Sequence, residues 1–395
     1  MSVKNIGILT GGGDVPGLNS AIKAITAAAY HKNYTTVGIR RGWEGLTHLN
    51  LEDHASMERY IVPLNRDNTR IIDRTGGTML HTSRTNPAKM KSAPEHLKGL
   101  DFPAQKSEKG TTYDLTKAVL RNLEALRIDC LVSIGGDDTL SYSSILHSQG
   151  VPVVALPKTM DNDVHNTEYC IGFSTAITRA VDAIQRQRST IGSHERIGIF
   201  RIFGRDAGYT SLYTAYVTSI RCAIPEFKFD LDTMIELLAR DKRDNPSNYS
   251  IVVLSEGAEW SGYHVREYGE ADAYGHRKKA NVAEDLGELI RKNTKQETVI
   301  SDLTYDLRSG EPDFLDKLIA GTFGSMAVEC IAENKSGLMA SITNGCYAMV
   351  PIPDSKLGSR KLDVDAMYDT EQYRPIYTHK AGMPVFLTRV GSVSG

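Results

Sequence analysis

The run Ser133-Ile134-Gly135-Gly136-Asp137-Asp138-Thr139 constrains this chain more than any other. It is entered from Asp129-Cys130-Leu131-Val132, a short apolar segment of the kind that forms a buried strand. Two glycines then let the backbone turn sharply and bring bare N–H groups close to an anion, where a Cβ would obstruct. Asp137 and Asp138 follow at the mouth of the next helix. A second strand-like run, Val151–Leu156, leads into Pro157-Lys158-Thr159-Met160-Asp161-Asn162-Asp163. In an open parallel α/β sheet, loops at the carboxyl ends of strands line one crevice, so these two loops are expected to face each other.

Carboxylates alone would repel a phosphate. A magnesium ion resolves the conflict, because it prefers oxygen ligands and is held by one or two carboxylates plus substrate phosphates. A remaining aspartate can accept a proton from an attacking hydroxyl, and Lys158 supplies a compact positive charge. Taken singly, Gly-Gly-Asp-Asp also reads as a hairpin turn and Asp-Asn-Asp as a solvated loop. Their position after two strands of one sheet favours the phosphate site.

The 395 residues suffice for two domains with sizeable cores. A formal net charge of −2 argues against a generic nucleic-acid or membrane-surface role, so any anion site is local. Cys130, Cys170, Cys222, Cys330 and Cys346 are dispersed without a CxxC pair, which fits reduced core thiols better than a disulfide frame or zinc site. No basic-then-apolar leader precedes the first strand and no apolar run approaches membrane-spanning length. A cytoplasmic protein is expected.

Other strand-to-loop junctions repeat the theme. Lys4–Thr10 reads as the first strand, residues 11–17 as a glycine-rich turn, and Asn19–Ile25 as the start of a helix. That is a phosphate cradle at a helix N-terminus. The GxGxxG spacing fails and no GK[ST] follows, so it is neither a dinucleotide fingerprint nor a P-loop, and a plain tight turn is the alternative reading. Residues 36–46 read as a second strand and a turn. Arg84 follows another glycine-rich bend and can reach the same phosphates, although alone it reads as a surface arginine. Residues 101–113 are expected to be an exposed loop. Ile197–Ile202 runs into Phe203-Gly204-Arg205, and Tyr249–Leu254 into Ser255-Glu256-Gly257. Residues 257–280 are long for a loop and are expected to be mobile or oligomeric. Thr298–Leu307 reads as a strand and Asp313–Asn334 as a helix. The α/β rhythm of both halves predicts two doubly wound, Rossmann-like domains with a cleft between them.

The ordered set GGGDVPGLN (11–19), GGDDT (135–139), PKTMDND (157–163), SHERIGIFRIFGRDAG (193–208), SEG (255–257) and YDLRSG (305–310) resembles the phosphofructokinases across most of the chain. The resemblance implies the phosphofructokinase fold, with residues 1–172 plus 308–360 as the phosphoryl-donor domain and 173–307 plus 361–395 as the sugar-phosphate domain. It implies phosphorylation of the 1-hydroxyl of fructose 6-phosphate, with Mg2+ as cofactor. Asp161 resembles the base, and Asp137 the magnesium ligand with Asp163 nearby. Thr159, Arg205 and the backbone at Gly12 resemble the groups that stabilise the transferred phosphoryl. Gly136, Asp138, Lys158 and Arg84 fall on the donor side. Phe203, Gly204, Glu256, Tyr305 and Arg308 fall on the sugar-phosphate side. Arg196 resembles the arginine that reaches a neighbouring subunit's site, which implies a homo-oligomer, a dimer or larger.

ATP-using members of that family are similar to GGDG at the first motif, and often carry glycine where Lys158 stands. Here Asp138 puts a carboxylate where a nucleotide α-phosphate would lie, and like-charge contact in a restricted site costs several kcal/mol at worst, on the order of the values for misplaced interface charges. Lys158 suits the compact, highly anionic pyrophosphate. The combination resembles the pyrophosphate-dependent branch, with an ATP-dependent kinase as the alternative. Phe203 stands where methionine is usual, and Tyr305 where ATP-dependent members often carry histidine. Those departures keep another sugar phosphate, such as sedoheptulose 7-phosphate, open. A regulatory subunit that only binds sugar phosphate is a further alternative, against which Asp137, Asp161 and Arg205 argue.

Overall fold

The computed structural model describes residues 4–107, 110–271, 277–377, 381 and 386. The larger sheet has seven strands in the order Cys346–Pro351, Leu338–Thr343, Val153–Pro157, Cys130–Gly135, Asn5–Thr10, Thr35–Ile39 and Ile61–Leu64. Its inner pairings are parallel, and the strand at each edge runs antiparallel to its neighbour. The smaller sheet is parallel throughout, in the order Thr298–Asp302, Ile197–Ile202, Ser250–Ser255 and Arg221–Ala223.

Parallel strands are covered on both faces, so they are built from continuous apolar runs. Cys130–Gly135 and Val153–Pro157 are buried at every position, as are Ile197–Ile202 and Ser250–Ser255. One apolar cluster runs from Ile8, Val132 and Ile134 of the larger sheet to Ile199 and Val252 of the smaller, by way of Phe173, Ala176, Ala180 and Ile184. Those four lie on the helix Phe173–Ser193. Leu9, Ile39, Trp43, Leu131 and Tyr142 fill the other face of the larger sheet. Leu18–His31 packs against Phe314–Ala332, close enough that a Cβ on Gly324 would sit 2.9 Å from the carbonyl oxygen of Ala21.

Register decides what the strands deliver. Thr10 pairs with Ile134 and Gly135 with Pro157, so three neighbouring strands end at one level and place their following loops side by side. In the smaller sheet, Ser255 pairs with Ile202 and Asp302 with Arg201, to the same effect.

Several expectations need correction. The run read as a strand to Leu307 stops at Asp302, and Thr304–Arg308 is helical. Asp302 Oδ1 accepts from the N–H of Thr304 at 3.1 Å and from its hydroxyl at 2.8 Å, and this local turn outcompetes extension. Residues 36–46, read as a strand and a turn, also hold the start of a helix, Trp43–His48. Residues 101–113 contain a hairpin, Ala104–Ser107 against Gly110–Tyr113. Within 257–280, Glu267–Tyr268 pairs with Lys278–Lys279, and residues 272–276 lie outside the described residues. All five cysteines are free, four buried and Cys346 exposed. No helix among the described residues is long and apolar enough to cross a membrane.

Candidate active site

The carboxyl ends of both sheets open on one cleft of about 820 Å³. Its larger-sheet wall carries Gly12, Arg84, Gly136, Asp137, Asp138, Lys158, Thr159, Asp161 and Asp163. Phe203, Arg205, Glu256, Tyr305 and Arg308 line the opposite wall. Every residue singled out from the sequence is therefore a lining residue except Gly204 and Arg196. Gly204 is a corner behind the wall: its φ is 126°, and its carbonyl accepts from the N–H of Gly257 at 3.1 Å, joining the Arg205 and Glu256 loops. Arg196 donates through Nε to Glu297 at 2.7 Å.

Backbone hydrogen bonds stitch the larger-sheet loops together. The N–H of Gly11 donates to Ile134 and that of Lys158 to Gly135, both at 3.0 Å. The N–H of Gly12 donates to the carbonyl of Ser83 at 3.0 Å, and the hydroxyl of Thr82 returns a bond to the carbonyl of Gly12 at 2.6 Å. This exchange brings Arg84 from a distant part of the sequence to the phosphate-cradle turn.

The floor is acidic. Burial, reinforced by Asp163, pushes the Asp137 carboxyl well above the usual carboxylate range. Burial, then Asp163 and Glu256, do the same to Asp161, and burial pushes Asp163 up as well. The hydroxyl of Ser359 donates to Asp137 Oδ2 at 2.8 Å. Lys158 is only 5% exposed, and burial with repulsion from Arg308 and Arg84 brings its ammonium down to about 8.

The opposite wall is built on arginines. Arg308 lies over the Phe203 ring, 4.7 Å from its centroid, and 3.8 Å from Asp14. Gly13 leaves it room: a Cβ there would stand 2.5 Å from Arg308 Nη1. Arg201 pairs with Asp302 at 2.7 Å and Glu256 at 3.5 Å, and Arg205 Nε lies 3.8 Å from Glu256. The main-chain N–H of Arg205 faces Asp161 Oδ2 at 3.5 Å, across the cleft. Sequence reasoning missed Arg201, Ser359, Tyr268 and Lys279, all of which line the cleft. Arg201 offered a signal, being a charge inside an otherwise apolar strand; the other three offered none.

The cleft sets basic side chains and main-chain N–H groups beside a cluster of carboxylates, the kinds of group by which phosphoryl transfer is positioned and its charge neutralised. The family model for phosphofructokinase matches residues 5–331, most of the chain and both walls of the cleft. The chain belongs to the phosphofructokinase family. A pyrophosphate–fructose 6-phosphate 1-phosphotransferase of Dictyoglomus thermophilum is 33% identical to it, over 94% of this chain and 98% of the relative. ATP-dependent 6-phosphofructokinase 3 of Streptomyces coelicolor is 31% identical, over 92% of this chain and 97% of the relative. The solved pyrophosphate-dependent phosphofructokinase of Marinobacter aquaeolei shares the fold, with a TM-score of 0.73 at 17% identity over 95% of this chain and 89% of that one. Pyrophosphate–fructose 6-phosphate 1-phosphotransferases of Streptomyces coelicolor and Thermoproteus tenax are 33% and 32% identical, over 92% and 88% of this chain and 97% and 92% of the relatives.

Proposed function

We propose that this phosphofructokinase moves a phosphoryl group from pyrophosphate to the 1-hydroxyl of fructose 6-phosphate, reversibly, giving fructose 1,6-bisphosphate and phosphate. The observation that carries the donor choice is that Asp138 and the buried Lys158 line one cleft with Asp137 and Asp161. A carboxylate beside the donor repels a nucleotide's α-phosphate, whereas a buried ammonium matches a bare diphosphate.

The donor is held by Lys158, Arg84 and main-chain N–H groups around Gly12 and Gly136. Arg308, Glu256 and Tyr305 grip the sugar phosphate, with Phe203 packed beneath Arg308. Asp161 accepts the proton of the attacking hydroxyl and returns it in the reverse direction, a role suited to a carboxyl whose proton affinity is raised. Thr159, Arg205 and the Gly12 backbone stabilise charge on the phosphoryl in flight. Asp163 lies beside the Asp137 carboxylate, which it helps push up, so the oxygen donors suit magnesium. Among the described residues, no three His, Cys, Asp or Glu side chains form a metal cage. When bound, magnesium would neutralise phosphate charge beside Asp137.

We further propose a division into a donor domain (1–172 with 308–360) and a sugar domain (173–307 with 361–395), a reading supported by the presence of two separate parallel-rich sheets. We also propose a homo-oligomer in which Arg196 serves a neighbouring subunit's 6-phosphate site, in keeping with its place outside its own cleft.

The test is an assay coupled to phosphate or nucleotide product, with fructose 6-phosphate, magnesium and each donor in turn. Turnover with pyrophosphate well above that with ATP is expected. A preference for ATP overturns the donor assignment, and faster turnover of sedoheptulose 7-phosphate overturns the sugar.

A further inference from the structure

Residues Ser359 to Leu362 form a strap across the floor of the cleft. Ser359 holds Asp137, as described. The N–H of Arg360 donates to the carbonyl of Asp163 at 2.6 Å, and its Nη2 donates to the carbonyl of Asn162. Lys361 Nζ donates to the carbonyl of Asp206, and the Lys361 carbonyl accepts from the hydroxyl of Tyr209 at 2.7 Å. The N–H of Leu362 donates to Glu226 Oε1 at 2.9 Å, and the same oxygen accepts from the N–H of Gly208 at 3.0 Å. Four consecutive residues thus grip both acidic loops of the larger sheet and the Arg205 loop of the smaller one.

Arg360 stands out within the strap. It is 6% exposed, lies over the Tyr209 ring at 4.8 Å, and leaves Nε and Nη1 buried without a hydrogen-bond partner. Burying a guanidinium with unsatisfied N–H groups costs stability, and an apolar side chain of similar volume would fill the space more cheaply. What the arginine adds is a positive charge behind the buried carboxyls and a grip on one main-chain turn. The turn is shaped at Asn162, between Asp161 and Asp163, whose φ of 53° is a left-handed conformation that asparagine adopts more readily than most residues. The Asn162 amide ties one side of it, donating to the carbonyl of Glu168 and accepting from the N–H of Cys170, and Arg360 ties the other.

We propose that Arg360 is a positioning residue for phosphoryl transfer, holding the Asp161–Asp163 turn by its carbonyls while the rest of the strap fixes that turn against the Arg205 loop. The inference rests on the phosphotransferase reading. A displacement near 1 Å at a reacting group costs on the order of 100-fold in rate.

The experiment compares Arg360→Met, Arg360→Lys and Ser359→Ala with the wild-type protein, by steady-state kinetics per folded molecule and by amide hydrogen exchange. Arg360→Met should lower kcat on the order of 100-fold while KM for pyrophosphate and sugar phosphate stays nearly constant. Arg360→Lys should recover part of kcat, because it keeps the charge. Exchange should quicken in Arg360→Met at residues 159–163 and 205–209 but not in the central strands. Unchanged kcat, or equal loss in the lysine and methionine variants with unaltered exchange at both loops, overturns the proposal. If Arg360→Met does not fold, the lysine variant and Ser359→Ala carry the same comparison. If the wild-type protein shows no pyrophosphate turnover, the functional reading fails, and the strap stands or falls on exchange at the two loops.

Discussion

The main-chain N–H of Arg205 points at the carboxyl of Asp161 from the opposite sheet, with 3.5 Å between nitrogen and Oδ2. One wall therefore contacts the carboxyl that the other wall supplies, the base of the proposed reaction. Asp161→Asn keeps the shape and removes the proton acceptor, and kcat should fall by about 10²–10⁴-fold. The same change removes a carboxyl crowded by Asp163 and Glu256, so the melting temperature should be at or above the wild-type value. Rate and melting curves measured on one preparation check both. Retained turnover would remove Asp161 from the role of base.

The proposed donor choice rests on Asp138 and Lys158, so the double variant Asp138→Gly with Lys158→Gly is the sharpest probe. A hydrogen bond to a charged group is worth about 1.5–3 kcal/mol, so losing the lysine should cost roughly 10- to 150-fold in kcat/KM for pyrophosphate. Removing the carboxylate should admit ATP. An unchanged ratio of the two specificity constants would sink the electrostatic explanation.

Most of this cleft was legible because phosphate chemistry leaves local signatures: glycines where backbone must approach an anion, and charges immediately after apolar strands. The Gly135–Asp138 and Pro157–Asp163 loops met as expected because register in a parallel sheet makes adjacent strands end together. What the sequence hid was long-range pairing. Arg201 reads as a misplaced charge until Asp302 and Glu256 are brought alongside it. Ser359 and Arg360 carry no local signal at all, since their partners lie about two hundred residues away in sequence. The Asp302–Thr304 turn was a further local signal overlooked, an aspartate two residues before a threonine.

In the proposed donor site, Lys158 should set a pH limit on pyrophosphate binding. In the free enzyme its ammonium titrates at about 8 rather than near the usual 10.5. A pyrophosphate site built on the charged form therefore weakens as pH rises past about 8. The stability sign is opposite: because the unfolded lysine holds its proton up to a higher pH, this group adds stability between about 8 and 10.5. KM for pyrophosphate should climb towards tenfold per pH unit above that point, since one proton is linked to binding. Lys158→Arg, always charged, should flatten that limb. Parallel KM profiles for the two proteins would assign the limb to pyrophosphate itself.

Asp316 governs stability away from the chemistry. Its Oδ1 accepts from the hydroxyl of Tyr169 and the N–H of Gly172, both at 2.7 Å, and Oδ2 accepts from the N–H of Thr175 at 2.8 Å and from the Thr175 hydroxyl. The side chain is wholly buried and pins the helix Phe314–Ala332 to the first turn of Phe173–Ser193, where a negative charge also meets the positive end of the helix dipole. Hydroxyls can rotate to other partners; the two main-chain N–H groups cannot. Each orphaned N–H costs about 1–3 kcal/mol, so Asp316→Ala should lose roughly 2–6 kcal/mol, and Asp316→Asn about 1–3 because its amide keeps one acceptor. Urea unfolding at neutral pH measures both. A loss below about 1 kcal/mol in the alanine variant would mean that water or a shifted helix satisfies those donors.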